Sequence, residues 1–421
     1  GATCLGGKQP PHPVVGFWAD KDCQQFGFGD KSCPSWDSFI PCNPSDNCAG
    51  GPDFECEYGR QGQLCLETAE GYSNVGGTFY WRCGKNGKLI TVAGIIAVLV
   101  VWFGLNAIAA GEFPALNVAL MFIQTTAMIG SFGLNWHSNL TYVNIAMGVA
   151  NFDVDFVAAS CLMPWTPVRS FYFQLSLPFL FSATYIMVFL AVELVLCWRE
   201  QSEMVHYKRI LRSTLKYSVS FVIMNYTTLV IKCFQSLRCT SFPDGREYMV
   251  FAPTVECWNG RHWLMVFCSS MYILGVLLWL PFGIWFILRK HARNGTLHTI
   301  RAEWQWGFIH AAFEAEYKWW ECVLIFRRFT IGFISVMIAE PMLQAASTLI
   351  VLAIMLSAQA YAAPFVRADI DVLDFLAICG SMLYCLSGIL FYPSVTLQSQ
   401  GHLCSENSAN EIHRTGESAS P

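Results

Sequence analysis

Residues 89–111 read LITVAGIIAVLVVWFGLNAIAAG, a stretch without a charged side chain. About 20 residues of α-helix cross the hydrocarbon core of a bilayer, so a stretch of this length predicts a membrane span. The composition agrees, because 54% of the 421 residues are apolar and only 13% are charged, against about a quarter in soluble domains. Further uncharged blocks lie at 113–152, 170–192, 263–288, 341–366 and 375–404.

This pattern predicts a polytopic membrane protein whose main partner is the lipid bilayer. It excludes a soluble enzyme, a nucleic-acid-binding protein and a disordered chain as the main interpretation. The net charge of −4 is small and gives no reason to expect a nucleic acid as partner.

Residues 1–88 differ from the rest of the chain, because they are polar and hold 8 of the 18 cysteines. This density predicts a disulfide-bonded module in an oxidising compartment. A zinc cluster is the alternative, but zinc sites favour short Cys-x2-Cys pairs, and this segment has none. The pairing cannot be read from the sequence. The candidates are Cys4, Cys23, Cys33, Cys42, Cys48, Cys56, Cys65 and Cys83.

The chain has no starting Met and no signal peptide, so we expect an internal or C-terminal piece of a longer protein. The positive-inside rule places the basic loop 198–216 in the cytoplasm. If residues 1–88 lie outside the cell, the chain must cross the membrane an odd number of times before this loop. That number is odd only if residues 136–157 do not cross. We therefore interpret 136–157 as interfacial or re-entrant. The predicted spans are about 89–110, 113–134, 173–196, 217–232, 263–288, 319–339, 342–363 and 372–392.

The predicted fold class is an all-α polytopic transmembrane helix bundle of about eight spans, with a small disulfide-rich N-terminal extracellular module. The bundle covers 89–396 and includes an outer Cys loop at 233–262 and a second basic inner loop at 289–318. A polar tail at 397–421 falls outside by parity.

Two N-terminal motifs resemble a known module: CNPSDNCAGG at 42–51 and CEYGRQGQLC at 56–65, followed by Gly71-Tyr72. They are similar to the last EGF-like or ephrin-receptor-like Cys-rich module of very large receptor-like membrane proteins of algae and other protists. The family pattern has a further Cys where this chain has Thr68, so one family bridge is expected to be missing or rearranged.

The membrane part resembles the transient-receptor-potential-like (TRP-like) C-terminal region of the same proteins. The resemblance covers about residues 40–392 and implies an ion-channel or sensory-receptor role, although no pore-loop signature lies between any two predicted spans. The passages that carry it are QTTAMIGSFGLNW at 124–136 with NFDVD at 151–155 and Cys161, the loop from Lys232 to Trp258, and YKWWE at 317–321 with Arg327, Arg328, Gln344 and APF at 363–365.

Four cysteines are predicted on the outer face: Cys161, Cys233, Cys239 and Cys257. Bridges among them would fasten the outer loop to the bundle. The alternative is that Cys161 or Cys233 lies in lipid as a small apolar residue. Five further cysteines lie in or beside spans and are expected to be reduced packing residues: Cys197, Cys268, Cys322, Cys379 and Cys385.

Charged residues within the predicted spans are candidates for a gating element. Arg327 and Arg328 fall in the sixth span, with Glu321 about two turns away as a partner. One interpretation is an inner-leaflet gating or lipid-binding element. The favoured interpretation is that both arginines snorkel to lipid phosphates. Glu193 lies near the end of an otherwise uncharged span and is a candidate for permeation or coupling.

Asn139 begins an outer glycosylation sequon, Asn-Leu-Thr. No nucleophile–base pair, phosphate-binding Gly loop or zinc-protease motif occurs, so we predict no enzyme activity, catalytic residue, metal or cofactor.

Three functions remain open. The first is a TRP-like cation channel subunit or sensory membrane protein of the plasma membrane, expected to form a homo-oligomer. The second is a non-conducting receptor or adhesion protein that binds extracellular partners through its Cys-rich module. The third is a transporter or lipid-moving protein. A hydrophilic groove lined by Glu193 would favour conduction, and a bundle sealed by Phe and Leu would favour an anchor.

Overall fold

The computed structural model consists of a small β-rich N-terminal module and a large helical bundle. It describes residues 2–3, 12–19, 40–42, 47–51, 55–75, 79–110, 113–134, 136, 143, 147, 151, 153–157, 159–163, 165–200, 207–242, 245–297 and 299–391. Its α-helices are α1 (Gly87–Ala109), α2 (Pro114–Gly130), α3 (Pro167–Glu200), α4 (Tyr207–Met224), α5 (Tyr226–Gln235), α6 (Gly260–Tyr272), α7 (Trp279–Arg293), α8 (Ile300–His310), α9 (Trp320–Met337), α10 (Pro341–Ala362) and α11 (Ala368–Phe391).

The N-terminal module is a series of short antiparallel hairpins with Cys42–Cys48 and Cys56–Cys65 bridges. Gly50 has a φ of +68°, and a Cβ there would lie 2.7 Å from the Pro13 carbonyl oxygen, so this approach requires glycine. The strands are β1 (Ala2–Thr3), β2 (His12–Pro13), β3 (Phe17–Trp18), β4 (Ile40–Pro41), β5 (Cys48–Gly50), β6 (Glu55–Cys56), β7 (Arg60–Gln61), β8 (Glu67–Thr68), β9 (Tyr72–Val75) and β10 (Phe79–Arg82).

Five helical segments within the described residues are long and apolar enough to cross a membrane by themselves, which is what a multi-pass integral membrane protein requires. They are α1, residues 167–195 of α3, the continuous run of α6 and α7 through a π-helical turn at Ile273–Leu277, α10 and α11. Helices α4 and α5 reach a sixth span only as a pair, bent by 58° at a break.

The predicted count of eight spans is not confirmed. Helices occur at all eight predicted positions, but α2 has 17 residues, about 26 Å of helix against a hydrocarbon core of about 30 Å. Helix α9 carries Glu321, Arg327 and Arg328 within its 18 residues. Hydropathy identifies spans that face lipid, and α2 and α9 instead pack inside the bundle.

Helix α5 lies at the centre of the bundle and is buried on nearly all its sides. It packs against α9, where Gly332 faces Val230. Helix α3 packs against α4, and α11 packs against both α2 and α10. A helix enclosed in this way has its neighbours rather than solvent or lipid to satisfy its polar groups.

The bundle has two chemically different ends. The disulfide end carries the N-terminal module, residues 153–161 and the hairpin of β11 (Cys239–Ser241) and β12 (Glu247–Met249). Rings of Trp18 and Phe242 meet there at 6.5 Å. The basic end carries the start of α4, the end of α7 and helix α8, where Lys216 lies over the Trp304 ring and Arg289 over the Trp285 ring.

Candidate functional site

A buried lysine organises the disulfide end of the bundle. Lys232 of α5 has a side chain 2% exposed, and its Nζ lies 2.5 Å from Asp155 Oδ2 and 3.3 Å from Asp153 Oδ1. Nζ also donates to Ser170 Oγ at 3.3 Å and lies 4.9 Å from the centre of the Phe251 ring. A buried ammonium needs such partners, because an isolated charge in a protein interior is strongly unfavourable.

The two carboxylates of this cluster have different surroundings. Burial raises the pKa of both groups, but at Asp155 the Lys232 ammonium and hydrogen bonds from Lys232, Ser170 and Trp165 outweigh burial, so its pKa falls below the ordinary value. At Asp153 burial prevails and the pKa stays raised. The cluster therefore holds one firm ion pair, Lys232–Asp155, and a second carboxyl that takes up a proton more readily.

Amide side chains connect the cluster to the break between α4 and α5. Gln174 of α3 accepts a hydrogen bond from the Val154 backbone N–H at 3.0 Å and donates to Asn225 Oδ1 at 3.0 Å. Asn225 is the residue between the two helices. Thr228 donates to the Asn151 carbonyl. The segment 151–157 is thus bonded to α5 at its first turn and near its last.

The break frees two carbonyl groups at the end of α4, and side chains from other helices bind them. Arg328 Nη1 of α9 donates to the Ile223 carbonyl at 2.7 Å, and Gln124 Nε2 of α2 donates to the Met224 carbonyl at 2.9 Å. Both side chains are buried. Irregular backbone at membrane depth needs protein partners of this kind. Because a guanidinium occupies this position, the freed carbonyls do not form a site for a metal cation.

The prediction that Arg327 and Arg328 snorkel to lipid phosphates is wrong. Both residues lie inside the bundle and are only 4% and 7% exposed. Arg327 and Asp374 line a cavity of about 10 Å³ beside Ser381. Arg328 and the half-buried Glu321 line a second cavity, of about 50 Å³. Both guanidinium groups lie inside the bundle because α9 packs between α2, α5 and α10.

Glu193 forms an ion pair rather than lining a groove. Its carboxylate, 6% exposed, lies 3.2 Å from Arg209 Nη1 near the basic end, where α3 packs against α4. This contact ties together two helices that are joined by the basic loop. The Glu193–Arg209 pair therefore helps to hold α3 against α4.

The outer loop is closed by a Cys239–Cys257 bridge above a buried histidine. His262 donates from Nε2 to the Ser236 carbonyl at 2.9 Å and accepts at Nδ1 from the Trp258 N–H at 2.9 Å. The two sulfurs and the imidazole lie within 4.8 Å of one another, as metal ligands do. The disulfide removes both thiolates, and both imidazole nitrogens already have partners, so this arrangement does not fit a metal ion.

The remaining cysteine predictions have mixed outcomes. Cys161 bonds to Cys83, across 78 residues, and so ties the N-terminal module to the bundle rather than to the outer loop. The disulfide prediction for Cys233 is wrong: it is a free, buried thiol on α5, facing the bundle interior. Cys268, Cys322, Cys379 and Cys385 are free as expected. Cys4, Cys23, Cys33, Asn139, the side chain of Cys197 and the tail 397–421 lie outside the described residues.

Sequence reasoning missed Lys232, Gln174, Asn225 and Gln124 as members of one network. Lys232 and Asn225 could have predicted a buried polar network, because each is a strongly polar residue in or beside an otherwise apolar helix. Polar residues inside spans usually face the bundle interior and bond to one another. Their partners could not be named, because those lie on distant segments of the chain.

Comparison of the chain with protein-family models, curated proteins and solved structures finds no match. The resemblance to TRP-like and EGF-like proteins stays a prediction.

Proposed function

We propose that this chain is a sensory membrane protein of the plasma membrane, with its N-terminal module outside the cell. In this role the module responds to an extracellular partner or to force, and the bundle carries the response across the membrane. The role is one of signalling rather than catalysis. The observation that carries the proposal is the continuous connection from the module to the broken α4–α5 pair.

The connection has a covalent part and a polar part. The Cys83–Cys161 bridge joins the end of the module to the segment that holds Asp155. Asp155 pairs with Lys232, and Gln174 joins the same segment to Asn225 at the break. A displacement of the module therefore acts on both ends of α5.

The broken pair is the element that would change state. Its bend of 58° leaves the Ile223 and Met224 carbonyl groups, to which Arg328 and Gln124 donate. A rearrangement of α5 would exchange these bonds, and such discrete exchanges are how small displacements switch packed helices. Broken helices near the membrane midplane are also common where transport proteins bind their ions.

A cation channel subunit of the TRP-like type is the second candidate. Buried Arg327, Arg328 and Asp374 favour it, because ionisable residues inside membrane bundles commonly serve ion pathways. The two cavities beside them measure about 50 and 10 Å³, which is room for only a few water molecules. Conduction would thus require an opening of the bundle or a pore between copies in a homo-oligomer.

The sensory role is tested by following a cysteine at the break. Ser220 of α4 is buried and lines the larger cavity. Ser220→Cys is introduced into the full chain after its free cysteines are replaced by Ala. The rate of its reaction with a membrane-permeable maleimide is then measured in membranes. Removing the Cys83–Cys161 bridge by a double Ser substitution should change this rate several-fold.

Removal of the Cys42–Cys48 bridge is the matched control, because that bridge lies wholly within the module. It should leave the rate unchanged. An equal rate with and without the Cys83–Cys161 bridge would show that the module and the break are independent, and would overturn the sensory proposal.

The channel candidate has its own test in patch recordings of cells that express the full chain. Current that is altered by Arg327→Gln would support it. Normal surface expression without current, together with a positive result in the cysteine assay, would favour a non-conducting receptor. Transport of a lipid or solute without current would favour the transporter.

A further inference from the structure

The larger cavity lies at the basic end, between α2, α4, α8 and α9, and has a volume of about 50 Å³. Its polar lining consists of Glu321 and Arg328 with Gln124, Asn117 and Ser220. The cavity borders the α4–α5 break, since Arg328, Gln124, Ile223 and Met224 line it. The inference concerns the contents of the cavity and does not require that the N-terminal module acts on the break.

Two opposite charges, Glu321 and Arg328, line this one cavity and attract each other without direct contact. Arg328 uses Nη1 for the Ile223 carbonyl, while its buried Nε has no partner. Among the described residues, the Glu321 carboxylate forms neither a hydrogen bond nor an ion pair with Arg328 or Arg327. A guanidinium 7% exposed and a half-buried carboxylate are both costly when left unpaired.

We infer that this cavity binds a zwitterion, a molecule with a primary ammonium group and a phosphate or carboxylate. The ammonium pairs with Glu321, and the anionic group bonds to Arg328, whose planar guanidinium suits phosphate and carboxylate oxygens. A simple anion bonds only to Arg328 and a simple cation only to Glu321, whereas a zwitterion bonds directly to both groups.

The cavity extends from the α4–α5 break towards the basic end, where we place the headgroup level of the bilayer. Helix ends and loops form its rim, including Pro114 at the start of α2 and Phe365 after α10. Exposed Trp304 and Trp319 lie at the same end, as tryptophans do at membrane interfaces. The zwitterion can come from phosphatidylethanolamine or from a soluble molecule such as phosphoethanolamine, and the experiment separates these sources.

The test measures lipid retention by the purified full chain. The protein in detergent is incubated with equal amounts of phosphatidylethanolamine and phosphatidylglycerol of identical acyl chains, and bound lipid is counted by native mass spectrometry. Both lipids have the phosphate, but only the first has an ammonium. We expect about tenfold preference for phosphatidylethanolamine, since a bond to a charged group is worth about one order of magnitude in affinity.

Glu321→Gln is the decisive variant, because it removes the charge with little change in shape. It should abolish the preference while leaving phosphatidylglycerol binding in place. Glu316→Gln is the matched control, since Glu316 is exposed at the same end and does not line the cavity. Ser220→Leu fills the cavity and should reduce retention of both lipids.

A second arm adds phosphoethanolamine to the delipidated protein and follows its melting temperature. Stabilisation that Glu321→Gln removes, without a lipid preference, would assign the site to a soluble zwitterion. Equal retention of the two lipids together with no effect of phosphoethanolamine would overturn the inference. Retention of the preference in Glu321→Gln would also overturn it.

Discussion

At the scale of single residues, Lys232 and its two carboxylates form a cluster in which substitution of one member leaves a charge without its partner. The ammonium is inside the bundle and bonds to Asp155, Asp153 and Ser170. A buried ion pair adds little net stability compared with apolar side chains of similar shape, but breaking it leaves a charge without a partner. The cluster thus acts mainly to fix one arrangement of α5 against residues 153–157.

Lys232→Met should lower the free energy of unfolding by about 3 kcal/mol, because two half-buried carboxylates, 23% and 32% exposed, lose their cation. Thermal unfolding in detergent measures this. Lys88→Met is the control, since Lys88 is exposed, and it should change the melting temperature little. The double variant Lys232→Met with Asp155→Leu should recover part of the loss. A double variant as unstable as the single one would contradict the ion-pair account.

Asp155→Asn should give a stability difference that depends on pH. The folded-state pKa of Asp155 is lowered from its ordinary value of 3.8, so its contribution to stability is present above that value and is lost as pH falls through the lowered pKa. The difference in melting temperature between wild type and variant should be fully present above about pH 5, shrink as pH falls below 3.8 and vanish only below the lowered pKa. The variant also removes the Asp155 charge that raises the pKa of Asp153, so Asp153 should take up a proton at lower pH in the variant. A difference independent of pH would contradict the ion pair.

At the scale of elements, the α4–α5 break is stabilised by helices remote in sequence. The chain interrupts its own hydrogen-bond ladder around Asn225, and α2 and α9 supply the replacement donors. The π-helical turn between α6 and α7 is also stabilised by a side chain from another helix, since the Tyr226 hydroxyl donates to the Leu277 carbonyl at 3.0 Å. Side chains of α2, α5 and α9 therefore stabilise both irregular elements by donating hydrogen bonds to their carbonyl groups.

Gln124→Leu should destabilise the protein by about 1–3 kcal/mol, because the Met224 carbonyl loses its donor in the bundle interior. The same cysteine reactivity assay at position 220 should report a more open break. Ala119→Leu on the exposed face of α2 adds a similar side chain away from the break and should leave both measurements unchanged. Normal stability and reactivity in Gln124→Leu would show that the break needs no such donor.

Gly332→Ala should weaken the contact between α5 and α9. A Cβ at this position would lie 2.7 Å from Val230 Cγ1, so the helices must move apart, at a cost of about 1–3 kcal/mol. Gly283→Ala provides the comparison, because a Cβ there meets nothing within 4 Å. In an open helical position Ala is favoured over Gly by about 1 kcal/mol. The two melting temperatures should therefore shift in opposite directions.

At the scale of the whole molecule, the disulfides among the described residues lie at one end of the bundle, and the basic start of α4 and the basic end of α7 lie at the other. The bridges Cys83–Cys161 and Cys239–Cys257 close two separate segments over the same end of the bundle. Disulfides form in oxidising compartments, and basic loops stay on the cytoplasmic side. Both rules give the molecule the same orientation.

Orientation is measured with cysteines introduced at Glu70, in the N-terminal module, and at Glu316, near the basic end, both of which are exposed. A membrane-impermeant maleimide applied to intact cells should label the first and not the second. After permeabilisation both should react. Labelling of position 316 from outside would reverse the orientation and remove the basis for an extracellular sensory module.

The sequence alone determined the membrane character, the helices at the predicted positions and the disulfide-rich module, because hydropathy and cysteine density are local properties. Only the tertiary structure decided that Cys83 pairs with Cys161, that Lys232 meets Asp155, and that Arg328 binds the Ile223 carbonyl instead of lipid phosphate. These partners are 77 to 105 residues apart. A buried charge or a freed carbonyl requires a partner by its local chemistry, but the packing of distant helices selects which partner it receives.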